Sequence, residues 1–121
     1  MATVLVVDDD PAVRRLVTGV LDRAGHRVLQ AADGAAALSL AGAESDPVAL
    51  LLTDVVMPGL SGEAVAERLR DAHPDLRVVY MSGYSEEELE ARGVRAVGSA
   101  YLTKPFTPEI LSMVVRGVLS E

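Results

Sequence analysis

Leu50-Leu-Leu-Thr-Asp-Val-Val-Met-Pro-Gly-Leu-Ser-Gly62 is an apolar run, led in by Val48 and Ala49, that stops at a single carboxylate, Asp54, and passes into turn residues. A continuous apolar run of this length bounded by Pro and Gly suits a strand buried on both faces of a parallel sheet. Asp54 then stands at the carboxyl end of that strand, where open α/β sheets gather ligands in crevices lined by loops. Taken alone, Asp54 serves equally well as a turn initiator. The rest of the chain decides between the two.

The 121 residues suit one compact domain, and half of them are apolar, enough for a core. A formal charge of −7, with no run of Lys or Arg, argues against nucleic acid as a direct ligand and for a cation or a basic partner. Cysteine is absent, which excludes disulfides, thiol nucleophiles and zinc-thiolate sites. No segment approaches the ~18 consecutive apolar residues of a membrane span, and the N-terminus does not read as a signal peptide. A cytoplasmic location without membrane contact is therefore expected.

Outward from the quoted stretch the chain alternates strand with helix. Thr3 to Val7 is a short β-branched strand, and Asp10-Pro11 behind it is a helix start, since Pro at the first helical position leaves no N–H unsatisfied. That helix is expected to reach about Ala24 and stop at Gly25. His26 to Ala32 mixes polar and apolar residues as an edge strand does, and Asp33-Gly34 opens a second helix to about Ala43. Ser61 to Ala72 is read as a third helix and Arg77 to Ser82 as a fourth, buried strand. Ser85 with Glu88 forms a capping box for a short helix poor in large apolar residues. Ser99 to Thr103 is the fifth strand, and Thr107-Pro108 starts a last helix ending near Leu119.

Five such units with short connections predict an α/β fold, a doubly wound five-stranded parallel sheet with helices on both faces. The polar second strand and the short fifth suit the edges, which gives the flavodoxin-like order 2-1-3-4-5. In that order Asp8, Asp9 and Asp54 converge at the ends of neighbouring strands. Clustered carboxylates cannot all stay ionised without compensation. Magnesium, or manganese in its place, fits such an open acidic cup, because it takes oxygen ligands and needs few carboxylates. Asp10, directly before Pro11, is read as a helix cap only. Lys104 is the one lysine among eleven basic residues, which suggests a position that wants a compact ammonium, and it lies on the same rim after the fifth strand. Ser82, before Gly83, completes the rim.

These pieces together resemble the receiver domain of two-component response regulators over the whole chain. The resemblance is carried by Val-Val-Asp-Asp at 6–9, by Asp54-Val-Val-Met-Pro-Gly with Gly62 beyond it, by Ser82-Gly83, and by Tyr-Leu-Thr-Lys-Pro-Phe at 101–106. It implies that Asp54 accepts a phosphoryl group from the phosphohistidine of a histidine kinase or a histidine phosphotransfer domain. It implies that Asp9 and Asp54 bind the metal directly, Asp8 through water, and Val56 through its main-chain carbonyl. Ser82 and Lys104 would contact the phosphoryl oxygens, and Tyr101 would move with Ser82. A cis peptide is expected between Lys104 and Pro105. The phosphorylated state would switch a surface around the fourth helix, fifth strand and last helix toward a downstream protein partner. The segments from Met81 to Tyr84 and from Lys104 to Glu109 are most similar to receivers of hybrid histidine kinases, which puts that setting ahead of a free-standing single-domain regulator.

Elementary chemistry supports the same roles, since an aspartate accepts phosphoryl when a metal and an ammonium offset the charge gathering on the transferring group. A phosphatase of the haloacid-dehalogenase type would need another Asp two residues beyond the first, where Val56 stands. A nucleotide-binding module would show a glycine-rich loop where Asp8 to Pro11 stands. A degenerate receiver acting only as an interaction module would not retain every acceptor-site residue. Val56 and Tyr84, two residues beyond the acceptor and the hydroxyl, would flank the path of hydrolytic water and exclude it more than they orient it. Slow autodephosphorylation is expected.

Overall fold

β3 (Leu50–Asp54) has all five residues buried and lies between β1 (Thr3–Val7) and β4 (Arg77–Ser82). A computed structural model of the protein describes residues 2–93 and 100–120. Beyond the central strands, β2 (Arg27–Ala31) pairs with β1 and β5 (Ala100–Thr103) with β4, so the parallel order is β2-β1-β3-β4-β5. This is the arrangement expected from strand polarity. Arg27 and Gln30 of β2 are exposed, as an edge strand permits.

Because successive strand residues point to opposite faces, each continuous apolar run feeds two cores. Leu5, Val7, Leu51, Val78 and Tyr80 enter one cluster, while Val4, Val6, Leu50, Leu52 and Met81 enter the other. The second cluster is closed by α1 (Pro11–Arg23) through Val17 and Leu21, and by α5 (Pro108–Leu119) through Leu111 and Val115. The first is closed by α2 (Gly34–Ala43) through Ala37 and Ala41, and by α3 (Gly62–Ala72) through Val65 and Leu69. The helices are started by side-chain caps at Asp10, Asp33, Ser61 and Thr107, each accepting a backbone N–H from the first turn.

α4 (Glu86–Ala91) is a six-residue helix with the full Ser85/Glu88 capping box, and Leu89 is its buried residue. One buried leucine supplies only about 1.5–3 kcal/mol. The cap and the three glutamates of the first turn, favourably placed at the positive end of the helix dipole, add to that small anchorage.

Boundaries differ from the sequence reading at three places. His26 stays outside β2, because its Nδ1 accepts the Ala2 N–H and the ladder starts with Arg27 N–H to the Ala2 carbonyl. Ala32 likewise falls beyond the strand. Ser61 is the cap of α3 rather than its first turn. Ser99, taken as the start of the fifth strand, lies outside the described residues. Among the described residues no helix is long and apolar enough to cross a membrane.

Candidate functional site

The ends of β1 and β3 bring three carboxylates together, with ligand oxygens of Asp8, Asp9 and Asp54 all within 4.8 Å of one another. Asp8 is fully buried and Asp54 is 9% exposed, whereas Asp9 faces solvent. Asp8 is fixed from several sides. Its N–H reaches the Ala31 carbonyl at 3.2 Å, and its Oδ1 accepts the Asp10 N–H at 2.9 Å. The Arg14 guanidinium donates to its carbonyl. At Asp54, the Thr53 hydroxyl donates to the carbonyl at 2.9 Å.

The turn after β3 is held against the strand end by the Gly62 N–H, which donates to the Val55 carbonyl at 2.9 Å. Only glycine fits there, since a Cβ on residue 62 would stand 2.2 Å from the Asp54 carbonyl oxygen. Gly62 is thus a requirement of the loop that follows Asp54.

Lys104 reaches in from the end of β5. Its Nζ donates to Asp8 Oδ2 at 2.7 Å and to Asp54 Oδ2 at 3.2 Å, and the peptide to Pro105 is cis. Its backbone N–H donates to the Ser82 carbonyl at 2.7 Å, so the lysine and the serine share one strand-end frame. Burial pulls the lysine toward neutrality, but the hydrogen bond to Asp8 and the charge of Asp54 outweigh it and raise the ammonium's pKa. At Asp54 burial is the leading effect and pushes the carboxyl up. Lys104 pulls it back, and the charges of Asp8 and Asp9 push it further up.

Ser82 is buried, and its Oγ accepts the Tyr84 N–H at 3.0 Å. The Tyr101 hydroxyl donates to the Tyr84 carbonyl, and the Tyr101 ring packs with Tyr84 against the core cluster that holds Leu89. Burial, first of all, raises the Tyr101 phenol, and the nearby Ser82 hydroxyl draws it back. Val56 lies on the rim, 51% exposed.

The structure therefore gathers Asp8, Asp9, Asp54 and Lys104 at one point and links Ser82, Tyr84 and Tyr101 beside it. Sequence reading missed three contributors, Arg14, Thr53 and Arg92, whose guanidinium lies 4.1 Å from the centre of the Tyr84 ring. Arg14 follows Asp8 by less than two helical turns, a spacing that carries a faint signal. Arg92 has none, because its contact depends on how α4 lies.

Residues 4–116 match the response regulator receiver domain family. The chain belongs to that family. As a receiver domain of two-component signalling it is 36% identical over 121 residues to the sensor kinase CckA of Brucella abortus, covering 99% of this chain and 13% of that protein. It is 35% identical to protein PilH of Pseudomonas aeruginosa, with 99% of each chain covered. The receiver domain thus spans a small part of some relatives and the whole of others. Among solved structures it resembles the receiver domain of the hybrid histidine kinase CckA, with 32% identity, a TM-score of 0.81 and 97% and 98% of the two chains covered. It also resembles the chemotaxis protein CheY4 of Vibrio cholerae, with 30% identity, a TM-score of 0.83 and 98% of both chains covered.

Proposed function

We propose that Asp54 is the phosphoryl acceptor of this receiver domain, and the observation that carries the proposal is the Lys104 ammonium lying 3.2 Å from Asp54 within the three-carboxylate group. An Asp54 carboxylate oxygen attacks the phosphorus of a phosphohistidine. The phosphorus–nitrogen bond breaks, and the imidazole nitrogen leaves with the electron pair and takes a proton from solvent. Lys104, drawn from Asp54 to a phosphoryl oxygen, and the Ser82 hydroxyl, donating to another, stabilise the charge on the transferring group.

Three carboxylates against one ammonium leave a surplus of negative charge, and an all-oxygen donor set of this size fits a hard divalent cation. Asp9 and Asp54 would hold magnesium or manganese directly, with Asp8 through water and the Val56 carbonyl as a further ligand. When bound, the ion supplies neutralisation of the phosphoryl oxygens.

The phosphoryl donor is a histidine kinase or a histidine phosphotransfer domain, and the likeness to CckA supports a hybrid-kinase setting. The output is a protein contact made by α4, β5 and α5. Val56, without a hydrogen-bonding side chain, and Tyr84, half-buried, flank the path of hydrolytic water, and the phosphorylated state is long-lived. The acceptor assignment is tested by intact mass after incubation with magnesium and acetyl phosphate. Wild type gains one phosphoryl group labile to hydroxylamine, and Asp54→Asn does not; equal labelling of both would refute it.

A further inference from the structure

Arg92 caps the C-terminal end of α4, and its guanidinium carbon sits over the Tyr84 ring at 4.1 Å from the centroid. Tyr84 is in turn tied by both main-chain groups to the residues beside the acceptor. Its N–H donates to Ser82 Oγ at 3.0 Å, and its carbonyl accepts the Tyr101 hydroxyl. Pulling on the Tyr84 ring therefore pulls on the peptide that orients the Ser82 hydroxyl.

We propose that Arg92 is a positioning residue for phosphoryl binding, acting as a latch that seats on the Tyr84 ring and holds the Ser82–Tyr84–Tyr101 network in its binding-competent arrangement. The proposal rests on the reading of Asp54 and Ser82 as the phosphoryl site. The physical link is pre-organisation. A site that is only fractionally in its competent arrangement binds more weakly by that fraction, so a contact that favours the arrangement tightens apparent affinity without touching the ligand. Leu89 is the buried side chain of α4 and Arg92 directly follows that helix, so the ring contact ties its C-terminal end to Tyr84.

A competing role for Arg92 is its charge alone. Glu88 lies four residues earlier on α4 and feels the Arg92 charge. Such a role would not depend on the face of an aromatic ring, whereas the latch does.

The test is calorimetric titration of the full chain with beryllofluoride in the presence of magnesium, for wild type, Arg92→Gln, Arg92→Lys, Tyr84→Leu and the Arg92→Gln/Tyr84→Leu pair. A cation–π contact at an exposed site corresponds to a change of about two- to five-fold, so Arg92→Gln should weaken binding by that factor and Arg92→Lys should restore most of it. In the Tyr84→Leu background, where an apolar side chain is kept and the ring is lost, Arg92→Gln should cost nothing further. Amide signals of Ser82 and Tyr101 should move in Arg92→Gln without ligand. Unchanged affinity in Arg92→Gln, or the same loss with and without the Tyr84 ring, would overturn the latch. A wild type that binds no beryllofluoride would overturn the phosphoryl-site reading itself, and the latch with it, so the two failures are told apart by the first titration.

Discussion

At the residue scale, Asp54 is held in a place that does not suit its charge. Burial is the main reason its carboxyl is shifted upward, and Asp8 and Asp9 reinforce the shift against the pull of Lys104. A carboxyl whose pKa is higher in the folded than in the unfolded state contributes stability below its ordinary range, and that stability is lost as pH rises through the raised folded value. In metal-free protein Asp54→Asn should therefore melt above wild type at pH 7. The gap should close as pH falls below the ordinary carboxylate range, where both side chains are neutral. Thermal scans in a chelator across that pH range check this, and a wild type that outlasts the variant at neutral pH would mean that the Lys104 ion pair outweighs the burial of the charge. At the same scale, the proposed gate of Val56 and Tyr84 can be tested by the lifetime of the phosphorylated state. Replacing them together by Asn and Glu supplies water-orienting groups, and the dephosphorylation rate should rise by up to roughly 10²-fold, the lower end of what general acid–base help contributes. A rate no faster than wild type would remove the gate.

At the element scale, α4 is set apart from its neighbours by how little holds it. Among the described residues α1, α3 and α5 each bury three or more, whereas α4 buries Leu89 and carries a capping box, with the Arg92–Tyr84 contact at its C-terminal end. Alternative positions for it thus differ by only a few kcal/mol. Beryllofluoride with magnesium should change hydrogen exchange most strongly over residues 83–91 and at Tyr101, and least in β1 and β3. A change spread evenly over the sheet would contradict a localised switch. The weakness of α4 was legible in its sequence, in the glutamates of Glu86 to Glu88 and the single Leu89. Its ties to Arg92 and Tyr101 were not, because side-chain contacts between elements follow no period along the chain.

At the scale of the whole molecule, the sheet order is what assembles the chemistry, and that order could be read from polarity. The two-sided burial of Leu50 to Leu52 and the exposed Arg27 and Gln30 mark centre and edge, and with that order Asp8, Asp9 and Asp54 have nowhere to be but together. Lys104 could be placed on the same rim by its position after the last strand, though not its preference for the fully buried Asp8 over Asp54. Boundaries were less legible. His26 reads as a strand residue, yet its ring is engaged by the Ala2 N–H, a tertiary bond that no local pattern announces. The proposed chemistry is one covalent event at one carboxylate oxygen of Asp54. Phosphorylating the protein with acetyl phosphate and magnesium, reducing the acyl phosphate with borohydride and sequencing the peptides locates it directly. The prediction is homoserine at position 54 and unmodified aspartate at Asp8 and Asp9; homoserine at either of those, or at none of the three, would contradict it.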